Sequence, residues 1–367
     1  MKKDKLIETA EKRQQAVLVG ASGLGVEKIE KSLEELKRLA ETANIDSVGT
    51  FYQVIKEITK ATYIGSGKAL ELRDFVKENN ADLIIFDEEL SGYQLNNLED
   101  ICGVKVIDRS MLILDIFAGR AKTSEGKLQV KLAQLKYTLP RSLAMGNSYG
   151  RFGGGVGMRG PGESELELQK RIIKEEILDT QRKIKELEAH RNILRKKRNE
   201  MQEKLVAIVG YTNAGKSTLL NTMTKADVYA DDKLFATLDT TTRKIFVDYK
   251  KKFLITDTVG FVSKLPHEFI EAFKATLEEA SDADLILNVV DASDKEYKSH
   301  IGVTNEVLSK IGAGDIPKIV VYNKIDKCTD EQILNDNSAI KISAKKNVGI
   351  DELKQKIVDT LFGKEDA

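Results

Sequence analysis

The run KLVAIVGYTNAGKSTLLNTMTK, residues 204–225, constrains this chain more than any other stretch. Its apolar start, KLVAIVG (204–210), reads as a buried strand, and KSTLLNTMTK (216–225) has helical spacing. GYTNAGKS between them fits the pattern G-x-x-x-x-G-K-[ST] in the strand-to-helix context that turns a match into a site. Gly210 and Gly215 permit the tight turn, and the backbone N–H groups from Asn213 to Ser217 point at phosphate, helped by the helix N-terminus. Lys216 reaches the β- and γ-phosphates, and the Ser217 hydroxyl meets Mg²⁺. The candidate phosphate-binding residues are Gly210, Tyr211, Thr212, Asn213, Ala214, Gly215, Lys216, Ser217 and Thr218.

The residues that follow extend this unit into an α/β domain, expected over 204–367, with a doubly wound, mainly parallel sheet. KIFVDYKKKFLITD (244–257), LILNVVDAS (285–293), KIVVYNK (318–324) and AIKISA (339–344) read as strands; 267–281, 297–312 and 349–362 read as helices. NKID (323–326) ends a strand, at the sheet edge where ligands bind. The Asp326 carboxylate can accept two hydrogen bonds from guanine N1 and N2, a donor pair that adenine lacks. Asn323, Lys324 and Ile325 would brace the base and the phosphate loop, and Ser343, Ala344 and Lys345 would close the base pocket through backbone N–H groups. Asp257, Thr258, Val259 and Gly260 follow another strand; Asp257 can hold Mg²⁺ through water, and the Gly260 N–H can bind a γ-phosphate. FATLDTTTR (235–243) lies between, with one threonine expected to complete Mg²⁺ coordination. The residue after Gly260 is Phe261, where many GTP-hydrolysing proteins carry a glutamine that orients the attacking water.

The chain has 367 residues, enough for two or three domains, and a 41% hydrophobic fraction able to build their cores. Residues 1–140 alternate strand runs at 16–20, 46–55, 82–87 and 104–108 with helical stretches at 28–43 and 68–81, an N-terminal α/β domain. RSLAMGNSYGRFGGGVGMRGPG (141–162) is a glycine-rich loop through which no packed element can be written. Residues 163–203 are highly charged and free of glycine and proline, and read as one long helix or a helical hairpin. Its basic second half, with Arg151 and Arg159 of the loop, offers cations to a phosphate backbone. Lys plus Arg and Asp plus Glu both number 58, so bulk charge steers nothing, and only such local patches can. The two cysteines, Cys102 and Cys328, lie far apart in no metal-type spacing. His190, His267 and His300 are scattered, and YIGSGK (63–68) lacks phosphate-loop spacing. The charged start is no signal peptide and no run is apolar enough to span a membrane, so a cytoplasmic protein is expected.

The ordered motif set resembles translation-factor-type GTPases, and FATLD followed by DTVGF resembles the Obg–HflX group. IDRSMLILDIFAGRAKTSEGKLQVKLAQLKY (107–137) and GGVGMRGPGESELE (154–167) resemble hallmark segments of the HflX family itself, so the likeness covers nearly the whole chain. Where that family usually has proline after TLD, this chain has Thr240. The resemblance implies that Thr237 is the Mg²⁺ threonine, within a nucleotide-binding loop of Phe235, Ala236, Thr237, Leu238 and Asp239. It implies GTP and GDP as substrate and product, with Lys216, Thr237 and Gly260 as catalytic residues and Ser217 and Thr237 as metal ligands. Members of the group carry a hydrophobic residue at the Phe261 position, which implies slow turnover that a partner completes. Similar GTPases with asparagine at the Asn213 position bind K⁺ near the phosphates. HflX-like proteins bind the large ribosomal subunit and split ribosomes in the GTP state, which implies that this chain, expected to be a monomer, docks on ribosomal RNA. The alternative reading is a GTP-dependent protein-binding switch with no RNA role.

Overall fold

The computed structural model describes residues 13–23, 25–149, 161–201, 203–224, 234–235, 241–247, 251–264, 279–335 and 339–363. Backbone contacts divide the chain into two compact units: residues up to Asp115 with Thr138–Lys170, and Ile116–Tyr137 with Arg171 onward.

In the first unit β1 (Gln14–Ser22), α1 (Val26–Thr42), β2 (Ile45–Val54), α2 (Ser66–Glu78), β3 (Leu83–Phe86), α3 (Gly92–Cys102) and β4 (Lys105–Asp108) follow one another. The four strands are parallel, in the order β2-β1-β3-β4. β1 and β3 are near-continuous apolar runs because a parallel sheet is covered on both faces. α1 presents Ile29, Leu33, Leu36 and Ala40 at three- and four-residue spacing and buries all four. α3 begins with a capping box: Ser91 Oγ accepts from the Gln94 N–H, and the Gln94 side chain accepts from the Ser91 N–H. It ends at Gly103 in the left-handed conformation.

Three helices follow: α4 (Arg109–Arg120), α5 (Ser124–Tyr149) and α6 (Pro161–Glu200). α5 corrects the sequence expectation that 141–162 holds no element. Arg141, Leu143, Ala144 and Met145 in its final stretch are good helix formers and precede the crowded glycines. Pro140 sits inside α5 and forgoes one intrahelical hydrogen bond there. α6 is one helix of 40 residues, so the hairpin alternative falls away. The glycine-rich residues 150–160, with Arg151 and Arg159, lie outside the described residues.

The second unit carries β5 (Lys204–Val209), α7 (Lys216–Thr224), β6 (Thr241–Phe246), β7 (Lys252–Asp257), β8 (Leu285–Asp291), α8 (Tyr297–Lys310), β9 (Lys318–Asn323), α9 (Glu331–Asn335), β10 (Ile340–Lys341) and α10 (Ile350–Phe362). The strand order is β10-β9-β8-β5-β7-β6, parallel except for the β6–β7 pair. KIFVDYKKKFLITD is therefore two antiparallel strands rather than one. The polar stretch between Phe246 and Lys252 carries the reversal without any glycine or proline to announce it. β5 lies between β7 and β8, so the chain leaves it to opposite sides and opens a crevice at the carboxyl ends of β5 and β8. Val206, Ile208, Leu219, Leu220, Leu285, Leu287, Ile357 and Val358 form the core under that crevice. The helix expected at 267–281 is described only from residue 279.

Candidate GTP-binding site

The crevice is built from three loops that meet at one asparagine. Asn323, buried at the end of β9, donates through Nδ2 to the Ala214 carbonyl (2.8 Å) and accepts through Oδ1 from the Ala344 N–H (3.0 Å). NKID, the phosphate loop and the Ser343–Lys345 loop are thus tied together. Thr222 of α7 adds a second tie, its hydroxyl donating to the Ala344 carbonyl at 2.9 Å. Asp326 Oδ1 accepts from the Ser343 hydroxyl (2.7 Å), and Lys346 Nζ lies 3.3 Å from Oδ2. The Ser343 hydrogen bond, reinforced by Lys346, holds the Asp326 carboxyl below its ordinary range. Lys324 stands at φ 59° and pairs with Asp291 at the end of β8 (2.8 Å).

The phosphate loop leaves β5 through Gly210 at φ 146°, where a Cβ would sit 2.2 Å from the Val289 carbonyl oxygen. Only glycine fits there. Lys216 is buried at the start of α7, its Nζ donating to the Tyr211 (2.9 Å) and Gly210 (3.2 Å) carbonyls. Burial lowers the Lys216 ammonium to about 8, with Asp257 opposing and Lys324 adding to the shift. The Ser217 hydroxyl donates to Asp257 Oδ2 at 2.6 Å, which sets two hard oxygen donors side by side at the helix start. Gly260 faces Lys216 and Thr212 so closely that a Cβ would lie 2.8 Å from Thr212 Cγ2 and 2.9 Å from Lys216 Nζ. Thr258 is buried and donates to the Ile208 carbonyl.

Phe261 is 1% exposed and belongs to this loop's framework. Its N–H donates to the Gly210 carbonyl (3.1 Å), and its carbonyl accepts from the Thr212 N–H (2.8 Å). The side chain at the glutamine position is thus packed away from any reacting water. Asn213 is exposed at φ 60°. Of the threonine-rich loop Phe235 comes within the described residues, as do Thr241, Thr242 and Arg243, which open β6. Ala236, Thr237, Leu238, Asp239 and Thr240 lie outside them. Phe235, at φ 53° and 2% exposed, meets Phe117 of α4 edge-on with ring centroids 4.6 Å apart.

A protein of Caldanaerobacter subterraneus subsp. tengcongensis, named GTPase HflX, is 50% identical over 359 residues, covering 98% of this chain and 83% of the relative. The chain belongs to the HflX family of GTPases. The Escherichia coli GTPase HflX is 42% identical over 343 residues, 91% of this chain and 80% of that one. Three family models match in sequence order: GTP-binding GTPase N-terminal (30–118), GTP-binding GTPase Middle Region (120–198) and 50S ribosome-binding GTPase (205–324). A crystal structure titled SsGBP and GDP complex shares the fold, with a TM-score of 0.52 at 24% identity, over 94% of this chain and 98% of that one. As an HflX-family member the chain is a GTP hydrolase. Among the described residues no helix is long and apolar enough to cross a membrane.

Several residues packed around this crevice escaped sequence reading. Lys346 follows the SAK triplet directly and was within reach of the pattern. Asp291 ends a strand, as Asp257 does. Thr222, Ser263 and His300 carry no local signal, because each joins the site only through tertiary packing.

Proposed function

We propose that this GTPase acts on the large ribosomal subunit, splitting ribosomes in its GTP state and leaving after hydrolysis. The burial of Phe261 carries the reading: with that side chain locked into the phosphate-loop framework, the chain lacks a residue there to orient water, and a partner completes the site. The description of the family model matched by residues 205–324 supports the large subunit as that partner.

In this reading Asp326 takes guanine N1 and N2, and Asn323 holds the base loop against the phosphate loop. Lys216 and the phosphate-loop N–H groups hold the β- and γ-phosphates, and the Gly260 N–H takes the γ-phosphate. Ser217 and Thr237 would ligate Mg²⁺, with Asp257 behind its water; the donor set is all oxygen, as that ion prefers. Bound there, the ion would neutralise charge on the phosphate oxygens. Water attacks the γ-phosphorus, the bond to the β–γ bridging oxygen breaks, and GDP and phosphate leave. A K⁺ ion beside Asn213 belongs to the same reading, and equal turnover in Na⁺ and K⁺ buffers removes it.

The decisive test is GTP hydrolysis by the full chain with and without purified large ribosomal subunits, in excess ATP. Strong stimulation that ATP leaves untouched is the expected result. Slow turnover unchanged by the subunits would overturn the ribosomal reading and leave the GTPase standing.

A further inference from the structure

We infer that Tyr211, Ser263 and His300 form a clamp that positions Gly260 for the γ-phosphate. Tyr211 is the second residue of the phosphate loop, yet its side chain turns away from the loop's N–H groups toward other elements. Its phenol oxygen accepts from the Ser263 N–H at 2.7 Å and shares a hydrogen bond with the Ser263 hydroxyl at 2.6 Å. Its ring lies flat on the imidazole of His300 in α8, with centroids 3.8 Å apart and planes 12° from parallel. Asp294 Oδ2 lies 3.8 Å from His300 Nδ1. Tyr211 itself is buried.

What this holds is the short segment that carries Gly260. Upstream, Thr258 is anchored to the Ile208 carbonyl. Downstream, among the described residues, the backbone pairing with the phosphate loop is one isolated bridge, Tyr211 to Phe261, made of the two hydrogen bonds at Phe261. A single bridge is a weak hold on a loop end, and the phenol adds two more bonds two residues further on. Val259 and Gly260 are therefore strung between two fixed points. A backbone N–H that must meet a developing charge works by being held in place beforehand. With Phe261 buried and no glutamine at its position, that preorganisation falls to the clamp.

The inference rests on the reading that the Gly260 N–H takes the γ-phosphate. The test is single-turnover GTP hydrolysis by the full chain, with GDP affinity measured in parallel. Tyr211→Phe keeps the ring stack and loses both hydrogen bonds. It is expected to slow hydrolysis roughly five- to tenfold, in proportion to the bonds removed, while GDP affinity stays within about twofold. His300→Ala is expected to slow hydrolysis as well, and His300→Phe, which keeps a flat stacking partner, to restore most of the rate. A wild-type rate in Tyr211→Phe, or a rate loss matched by an equal loss of GDP affinity, overturns the clamp. Gly260→Ala separates the two levels of the argument. If it hydrolyses at the wild-type rate, the γ-phosphate reading fails and takes the clamp with it. If it is slowed while Tyr211→Phe is not, only the clamp fails.

Discussion

In the proposed reading Lys216 and Asp326 put the two ends of a nucleotide under opposite kinds of control. Burial draws the Lys216 ammonium down to about 8, so the free protein has lost half of that charge by this pH and most of it a unit above. Phosphate charge beside it raises the bound-state value, so binding above about pH 8 must take up a proton. GDP affinity is then expected to fall as pH rises from ~7.5 to ~9, approaching about tenfold per unit at the upper end. Calorimetry in buffers of different ionisation enthalpy would read the proton uptake directly; affinity flat across that range would refute it. Asp326 works through shape. Replacing it by asparagine offers a donor where guanine has one, and Asp326→Asn is expected to lose guanine nucleotide by at least roughly a hundredfold and to favour xanthine. Competition between the two nucleotides measures this. The motif residues were legible because their roles depend on backbone geometry at fixed spacing. Ser263 and His300 were not, because a hydroxyl and an imidazole meet Tyr211 only after two other elements have packed.

Among the elements, β5 with α7 was readable in full, since an apolar run, two glycines and a helical run leave one arrangement. The β6–β7 hairpin was hidden because its turn has no glycine, proline or asparagine and its two strands join in one apolar-flanked run. The long charged α6 was readable as helical from residue 163 onward, where glycine and proline are absent, whereas Pro161 and Gly162, read as loop, form its first two residues. The joint between elements that matters most for binding is Asn323, which holds β9, the phosphate loop and the loop after β10. Asn323→Ala leaves a buried carbonyl and a buried N–H unpaired, a destabilisation of about 2–4 kcal/mol. Thermal unfolding is expected to show that loss and a much smaller upward shift on adding GDP. A variant that GDP still stabilises to the wild-type extent would mean the three loops find their places without it.

For the molecule as a whole, zero net charge makes salt a sharp instrument. A protein that grips RNA through local cations loses affinity steeply as salt rises, whereas packing of α6 on another protein would not. Binding to large subunits is expected to weaken by orders of magnitude across the physiological salt range. A flat salt response would favour a protein partner. The Phe117–Phe235 contact bears on how such experiments are set up. Phe117 lies more than ninety residues upstream of the phosphate loop in sequence, yet it meets the first residue of the threonine-rich loop. A fragment cut at residue 204 keeps every recognised nucleotide motif and discards that contact. Phe235, a bulky residue in the left-handed region, would then lose that edge-on ring partner. Rates measured on the excised domain would belong to a differently tethered loop, and the smallest faithful unit for enzymology begins upstream of α4.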